Sequence, residues 1–290
     1  MSDNLQFVIT GLSTGAVYAL VGLGIVLVHQ VTGIINFAQG DFVMLGGLSF
    51  ALFEEAGLAL VPAALLAITI ATVVGVLVNV LAIRPARRAS TERLIILTIG
   101  ASITIQGLAL VFLGTSPHFA RPFTEGQPIR LAGAVILPQY LWVFLVTGAG
   151  VVALWLFLTR TTAGKAMRAC AINEEAARIC AISPARMSLL AFALAAALGA
   201  IGGVVLAPLQ SPDAGIGIGL GLKGFTAAVV GGLASPQGAV AGGLLIGIVE
   251  SLAAGHLPSG YKDAVAFTIL FLVLLLRPEG LLRRTSAVRV

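Results

Sequence analysis

The sequence predicts an all-α integral membrane protein, a polytopic helical bundle. Three observations carry that prediction. Hydrophobic residues make up 58% of the 290-residue chain and charged residues 10%, against roughly 25% charged in an average soluble domain. The apolar residues fall in runs of about 20, the length that crosses a bilayer as a helix. The basic residues cluster between those runs. The mean hydropathy is +1.05. A soluble fold could not hide this much apolar surface, so lipid must cover most of it.

The runs lie at 7–28, 34–53, 58–83, 94–113, 138–158, 187–209 and 264–276, the last extended by its flanks. The first has no basic segment before it, so it reads as a mature span rather than a cleaved signal peptide. Pro62 and Pro138 sit near helix starts, where a missing N–H costs nothing. Ser183-Pro184 reads as an N-cap followed by proline at the first helical position.

Orientation follows from the cations. Arg84, Arg87, Arg88 and Arg93 form one cluster. Arg160, Lys165, Arg168, Arg178 and Arg186 form a second, and Arg277, Arg283, Arg284 and Arg289 a third. The positive-inside rule assigns all three to the cytoplasm. Counting spans from them puts the N-terminus, Glu54-Glu55 and the loop 114–137 outside and the C-terminus inside. The net charge of +5 is thereby a topology signal, and nucleic acid is not an expected partner.

Residues 215–253 fit least well. Gly215, Gly217, Gly219 and Gly221 alternate with apolar residues, a pattern helices disfavour. Lys223 opens a short apolar segment that Ser235-Pro236-Gln237-Gly238 breaks before a second one. Both ends of the stretch must lie outside, so it is either two full crossings or a re-entrant hairpin. The short first arm favours the hairpin, since irregular backbone at membrane depth is tolerated against protein. The count is then seven crossings plus the hairpin, or nine. Gly11/Gly15, Gly238/Gly242 and Gly243/Gly247 are small-xxx-small pairs suited to close helix contact.

The loop 159–187 is too long for a bare connector. Thr162 can cap a helix over 164–171. Asn173 can cap a second, with Glu174 and Glu175 in its first turn, where the helix dipole favours them. Ala176, Ala177, Ile179 and Cys180 give that helix a small apolar face, which a cytoplasmic partner would cover. Cys170 and Cys180 lack metal spacing and face a reducing compartment.

Several functions are poorly supported. There is no phosphate-binding G-x-x-x-x-G-K-[ST] loop. His29, His118 and His256 are scattered, and no metal or catalytic cluster is expected. Polar residues inside spans default to function. Asn36, Gln39, Asp41 and Thr226 are the candidates for a translocation pathway. Asn79 and Gln106 read as interhelical hydrogen bonders, and Lys223 and Glu250 as side chains snorkelling to the outer boundary.

The stretch 11–47, with Asn36-Phe37-Ala38-Gln39-Gly40-Asp41 at its core, resembles the opening of LivH-type permeases of branched-chain amino acid ABC importers. "GKAMRACAINEEAARICAISPARM" resembles that family's coupling segment. "GLKGFTAAVVGGLASPQGAVAGGLLIGIVES" and "LVLLLRPEGLL" resemble its C-terminal region. Ala181 departs from the pattern, because the coupling segment usually has glycine before the isoleucine.

The resemblance implies one transmembrane permease domain over 1–290 in a bacterial inner membrane, with the coupling loop 159–187 inside it. The chain would have no catalytic site and no cofactor of its own, with ATP bound by two separate ATPase subunits. A homologous second permease and an extracytoplasmic binding protein complete the implied assembly. Asn173, Glu174, Glu175, Ala177 and Arg178 are the implied ATPase contact. Leucine, isoleucine and valine are the implied cargo. Urea, short amides and other amino acids remain alternatives within that machinery, and an ion or solute channel is the alternative outside it.

Overall fold

The computed structural model describes residues 2–86, 89–131, 134–258, 261–277 and 279–281. Arg87, Arg88, Arg283, Arg284 and Arg289 of the basic clusters lie outside the described residues. Eleven helices account for most of the rest: α1 Ser2–Thr32, α2 Gln39–Glu55, α3 Leu60–Leu77, α4 Thr91–Leu113, α5 Pro138–Arg160, α6 Thr162–Ile172, α7 Glu174–Ile179, α8 Pro184–Leu206, α9 Ile216–Gly231, α10 Pro236–His256 and α11 Lys262–Leu276. Strands β1 Ile129–Leu131 and β2 Ala134–Ile136 pair as a small antiparallel hairpin in the loop before α5. Six of the helices are long and apolar enough to cross a membrane.

α1 is the central post. It is apolar on every side, and from Ala16 onward nearly every side chain is buried, as an all-round apolar helix requires. α10 packs antiparallel along it through glycines. A Cβ at Gly11 would lie 2.6 Å from Gly247 O, and one at Gly15 would lie 2.7 Å from Gly243 O. The expected small-residue pairs therefore do bring helices together. Gly238 and Gly242 do the same against α9, where Cβ atoms would overlap Gly231 and Ala227. In lipid, such backbone contact supplies packing energy that hydrophobicity cannot.

The second predicted span, 34–53, is not one continuous helix. α1 stops at Gly33, whose φ of 74° is the left-handed geometry of a helix C-terminus. Residues 34–38 are irregular, and α2 starts only at Gln39. This break is buried inside the bundle, because Phe37 stacks on Phe225 near the middle of α9, 5.7 Å between ring centres. Gly40 does not loosen the helix. A Cβ there would meet Gly221 N at 2.6 Å, so Gly40 is a point of close approach between α2 and α9.

The glycine alternation before Lys223 also proves helical. α9 takes in Gly217, Gly219 and Gly221, and the i, i+4 pair Gly217/Gly221 faces Gly40. Contact with another backbone offsets the poor helix propensity of these residues. The hairpin of α9 and α10 turns at residues 232–235. Gln30, near the end of α1, donates to Ala234 O at 2.9 Å. Ser235, Pro236 and Gln237 share a cavity with Thr159 and with Arg168 of α6. The turn thus lies at the end of the bundle that carries α6.

Two ends of the bundle can now be distinguished. One carries α6, α7, the starts of α8 and α10, and the end of α3. There a π-helical turn, Val78–Ile83, lets Asn79 donate to Ser188 Oγ at 2.7 Å. The opposite end carries the acidic pair and the 114–137 loop. Arg121 N donates to Glu54 Oε2 at 3.0 Å, Phe119 N donates to Glu55 Oε1 at 3.1 Å, and the His118 ring pairs with Glu55 at 2.8 Å. α3, α4 and α5 are largely exposed apolar helices at the periphery, with Val111 and Phe112 each more than three-quarters exposed, as suits a lipid-facing surface.

Candidate functional site

The loop 159–187 folds as two short capped helices. Thr161, one residue before the predicted cap, accepts from Gly164 N through its hydroxyl at 2.9 Å. Asn173 Oδ1 accepts from Ala176 N at 3.0 Å, as its position implied. α6 buries Gly164, Met167 and Cys170 against the bundle and leaves Lys165 and Arg168 outward. Burial and the Glu174 charge push the Cys170 thiol above its ordinary pKa.

The predicted apolar face of α7 is exposed at Ala176, Ile179 and Cys180 and departs from expectation at Ala177. Only Ala177 turns inward, at 3% exposure, so it supports the helix from beneath and does not reach a partner. Asn173, Glu174, Glu175 and Arg178 are exposed, and Glu174 and Arg178 pair across one helical turn. The outward apolar groups are Ile172 and Ile179, 87% and 88% exposed. These two isoleucines, ringed by charges, form an outward apolar patch on the loop.

α7 ends in a Schellman turn. Ala181 N donates to Arg178 O and Ile182 N to Ala177 O, both at 3.0 Å. That turn needs a left-handed residue. Ala181, with φ 59°, is the one non-glycine residue at positive φ among those described.

The four pathway candidates are all buried, Asn36, Gln39 and Thr226 at 0% exposure and Asp41 at 1%. They do not share a face. Gln39 Nε2 donates to Ala195 O of α8 at 2.8 Å, whereas Asp41 Oδ1 accepts from Gln106 Nε2 of α4 at 2.7 Å. Asn36 Oδ1 accepts from Ala38 N, holding the break. The Thr226 hydroxyl donates to Leu222 O of its own helix. The backbone of the break is tied in too, since Phe37 N donates to Thr98 Oγ1 at 3.2 Å. Asn36 Nδ2 and Gln39 Oε1 have no partner among the described residues. The start of α2 is therefore a polar knot tied by hydrogen bonds to α4 and α8, packed against α9 through Gly40 and Phe37, and not saturated.

The largest departure from the sequence reading is at Lys223. It does not snorkel. Its ammonium pairs with Glu250 of α10 and, at 3.0 Å, with Asp263 of α11. Tyr18 of α1 donates to the other Glu250 oxygen at 2.9 Å, and Lys223 Nζ stands 5.7 Å from the centre of its ring. Opposite charges on consecutive apolar helices, 27 residues apart, are the signal that could have found this pair. The cluster borders a cavity of about 370 Å³. No cluster of His, Cys, Asp or Glu among the described residues could hold a metal.

Residues 7–274 match the family described as the permease component of the branched-chain amino acid transport system. The chain is 35% identical to the high-affinity branched-chain amino acid permease protein BraD of Pseudomonas aeruginosa, over 99% of this chain and 98% of the relative. It is 34% identical to LivH of Escherichia coli K12, over 99% and 97% respectively. Among solved structures, PsaBC from Streptococcus pneumoniae in complex with Fab superposes with a TM-score of 0.53 at 14% identity, covering 95% of this chain and 92% of that one. That likeness concerns the fold alone.

Proposed function

Because the chain belongs to the branched-chain amino acid permease family of ABC importers, we propose that it is the membrane subunit that passes leucine, isoleucine and valine inward. An extracytoplasmic binding protein delivers the cargo, and ATP is hydrolysed on two separate subunits docked at α6 and α7. A homologous permease completes the pore. The observation that carries this reading is similarity along almost the entire chain to relatives that bear this function in their names.

The structure supports the working surfaces. Ile172 and Ile179 give the ATPase an apolar grip, and Glu174, Glu175 and Arg178 give it a charged rim. Ala177 and the Schellman turn hold α7 on α8, so force on the patch passes into a membrane helix. The broken entry to α2, with its unsaturated polar groups, is where irregular backbone would let helices shift between outward and inward states. In this reading the α6 end faces the cytoplasm, the N-terminus lies outside, and the α9–α10 hairpin crosses fully.

Disruption of the gene should abolish binding-protein-dependent leucine uptake while leaving urea uptake unchanged. Loss of urea uptake instead would overturn the amino-acid assignment. The double change Glu174→Lys and Glu175→Lys should lower cargo-stimulated ATP hydrolysis at least tenfold. Intact hydrolysis would remove the charged rim from the coupling surface.

A further inference from the structure

We propose that the cavity beside Lys223 is a binding site for a zwitterionic α-amino acid with a short apolar side chain. The proposal rests on the transport reading above and gives the cargo a station within this chain.

The cavity measures about 370 Å³, inside the roughly 300–1,000 Å³ of small-molecule sites. It is walled by α1, α9 and α10 and opens near Gln210, Gly215 and Lys262, at the end opposite α6. That is the end at which delivered cargo would arrive.

The chemistry of its wall is selective. Lys223 is one cation set between two carboxylates, Glu250 and Asp263. On the wall itself a bare anion would face Glu250 and a bare cation would face Lys223 and Lys262, while Asp263 holds Lys223 from the edge of the cavity. An amino acid carries one group of each sign on one carbon, so it can exchange partners with the cluster. Asp263 is the partner able to move, with its side chain 53% exposed where those of Lys223 and Glu250 are 13% and 10%. The ligand carboxylate takes the place of Asp263 on Lys223, and the ligand ammonium pairs with Asp263. Glu250 stays fixed by Tyr18 and Lys223. No charge is left unpaired and the net charge of the site is unchanged, which avoids the large penalty of a lone buried charge.

Beside the hydroxyls of Thr10, Thr14 and Ser251, one part of the wall suits a small branched side chain. Ile216, Leu220 and Ala254 are apolar, and Gly219 adds no bulk. A Cβ at Gly219 would meet nothing within 4 Å. Larger residues can therefore be placed there without disturbing a helix contact, which supplies a way to fill the cavity while leaving the ion pairs alone.

The test is photolabelling of the assembled complex in nanodiscs with a diazirine analogue of leucine, followed by peptide mapping. Label is expected on α9 residues 216–223 and α10 residues 247–254. Leucine should compete, whereas isopentylamine and isovalerate, each missing one charge, should not at equal concentration. Gly219→Leu and Lys223→Met should each cut this label at least tenfold, and Gly107→Leu, also at an open position, should leave it unchanged. Absence of cavity label would overturn the site, as would unchanged label in Gly219→Leu or equal competition by isopentylamine. If the wild-type complex fails to transport leucine, the cargo reading falls separately. The labelling pattern would still decide whether a zwitterion binds here.

Discussion

Replacing Ala181 by glycine should tighten the turn that ends α7. Ala181 sits at φ 59°, where an L-residue carries a penalty of roughly 1–2 kcal/mol that glycine escapes. Glycine gives back about 0.5–1 kcal/mol in backbone entropy. The midpoints leave a net gain of about 0.75 kcal/mol, roughly a three- to fourfold smaller opening constant at tenfold per ~1.4 kcal/mol. The reporters are the amides of Ala181 and Ile182, whose bonds to Arg178 O and Ala177 O close the turn. Hydrogen exchange of a peptide spanning 174–187, followed by mass spectrometry on the complex, reads them directly. Exchange should slow roughly three- to fourfold in Ala181→Gly and quicken in Ala181→Val, since a β-branched residue at positive φ is a true outlier. Faster exchange in the glycine variant, or none of this contrast, would refute the left-handed turn as the feature that ends α7.

Gly40→Ala should lower the thermal stability of the complex by the ~1–3 kcal/mol typical of overpacking, because its Cβ would run into α9. Gly107→Ala, with open space around it, should instead be neutral or gain up to ~1 kcal/mol of helix propensity. The pair of melting curves separates packing glycines from idle ones. Cys180 is exposed and Cys170 buried, and burial and Glu174 hold the Cys170 thiol above its ordinary range. A maleimide at pH 7 should therefore modify Cys180 well before Cys170, and equal rates would contradict the packing of α6. Ala234→Cys, at the exposed turn between α9 and α10, should react with an impermeant thiol reagent from the same side as Cys180. Reaction from the opposite side would restore the re-entrant hairpin.

Much of this architecture was legible because membrane helices announce themselves by composition. The spans, the polar Asn173 cap and the proline at the start of α8 all follow from local chemistry that needs no partner. What stayed hidden depends on a second element. The break before Gln39 lies within an apolar run, and its backbone is held by Thr98 of α4 and by the local side chains of Thr32 and Asn36. The glycines of α9 look like helix breakers until Gly40 is seen against Gly217 and Gly221. Lys223 and Glu250 each read as boundary residues, since nothing local says that α9 and α10 set them face to face. Ala177 was grouped with Ala176, Ile179 and Cys180 on one partner-facing side, yet the geometry of so short a helix turns Ala177 inward and leaves the other three out. The departure at Ala181 was visible in sequence, and the structure gives it its physical meaning as a left-handed residue.

The central claim is that this chain moves branched-chain amino acids only as part of an ATP-driven assembly. The most direct measurement is accumulation of radiolabelled leucine by proteoliposomes holding the chain with its partner permease and ATPases, supplied with the liganded binding protein. The account predicts uptake that requires ATP and the binding protein, that isoleucine and valine diminish, and that vanishes when this chain is omitted. Leucine flux that persists without ATP, as through a channel, would contradict it.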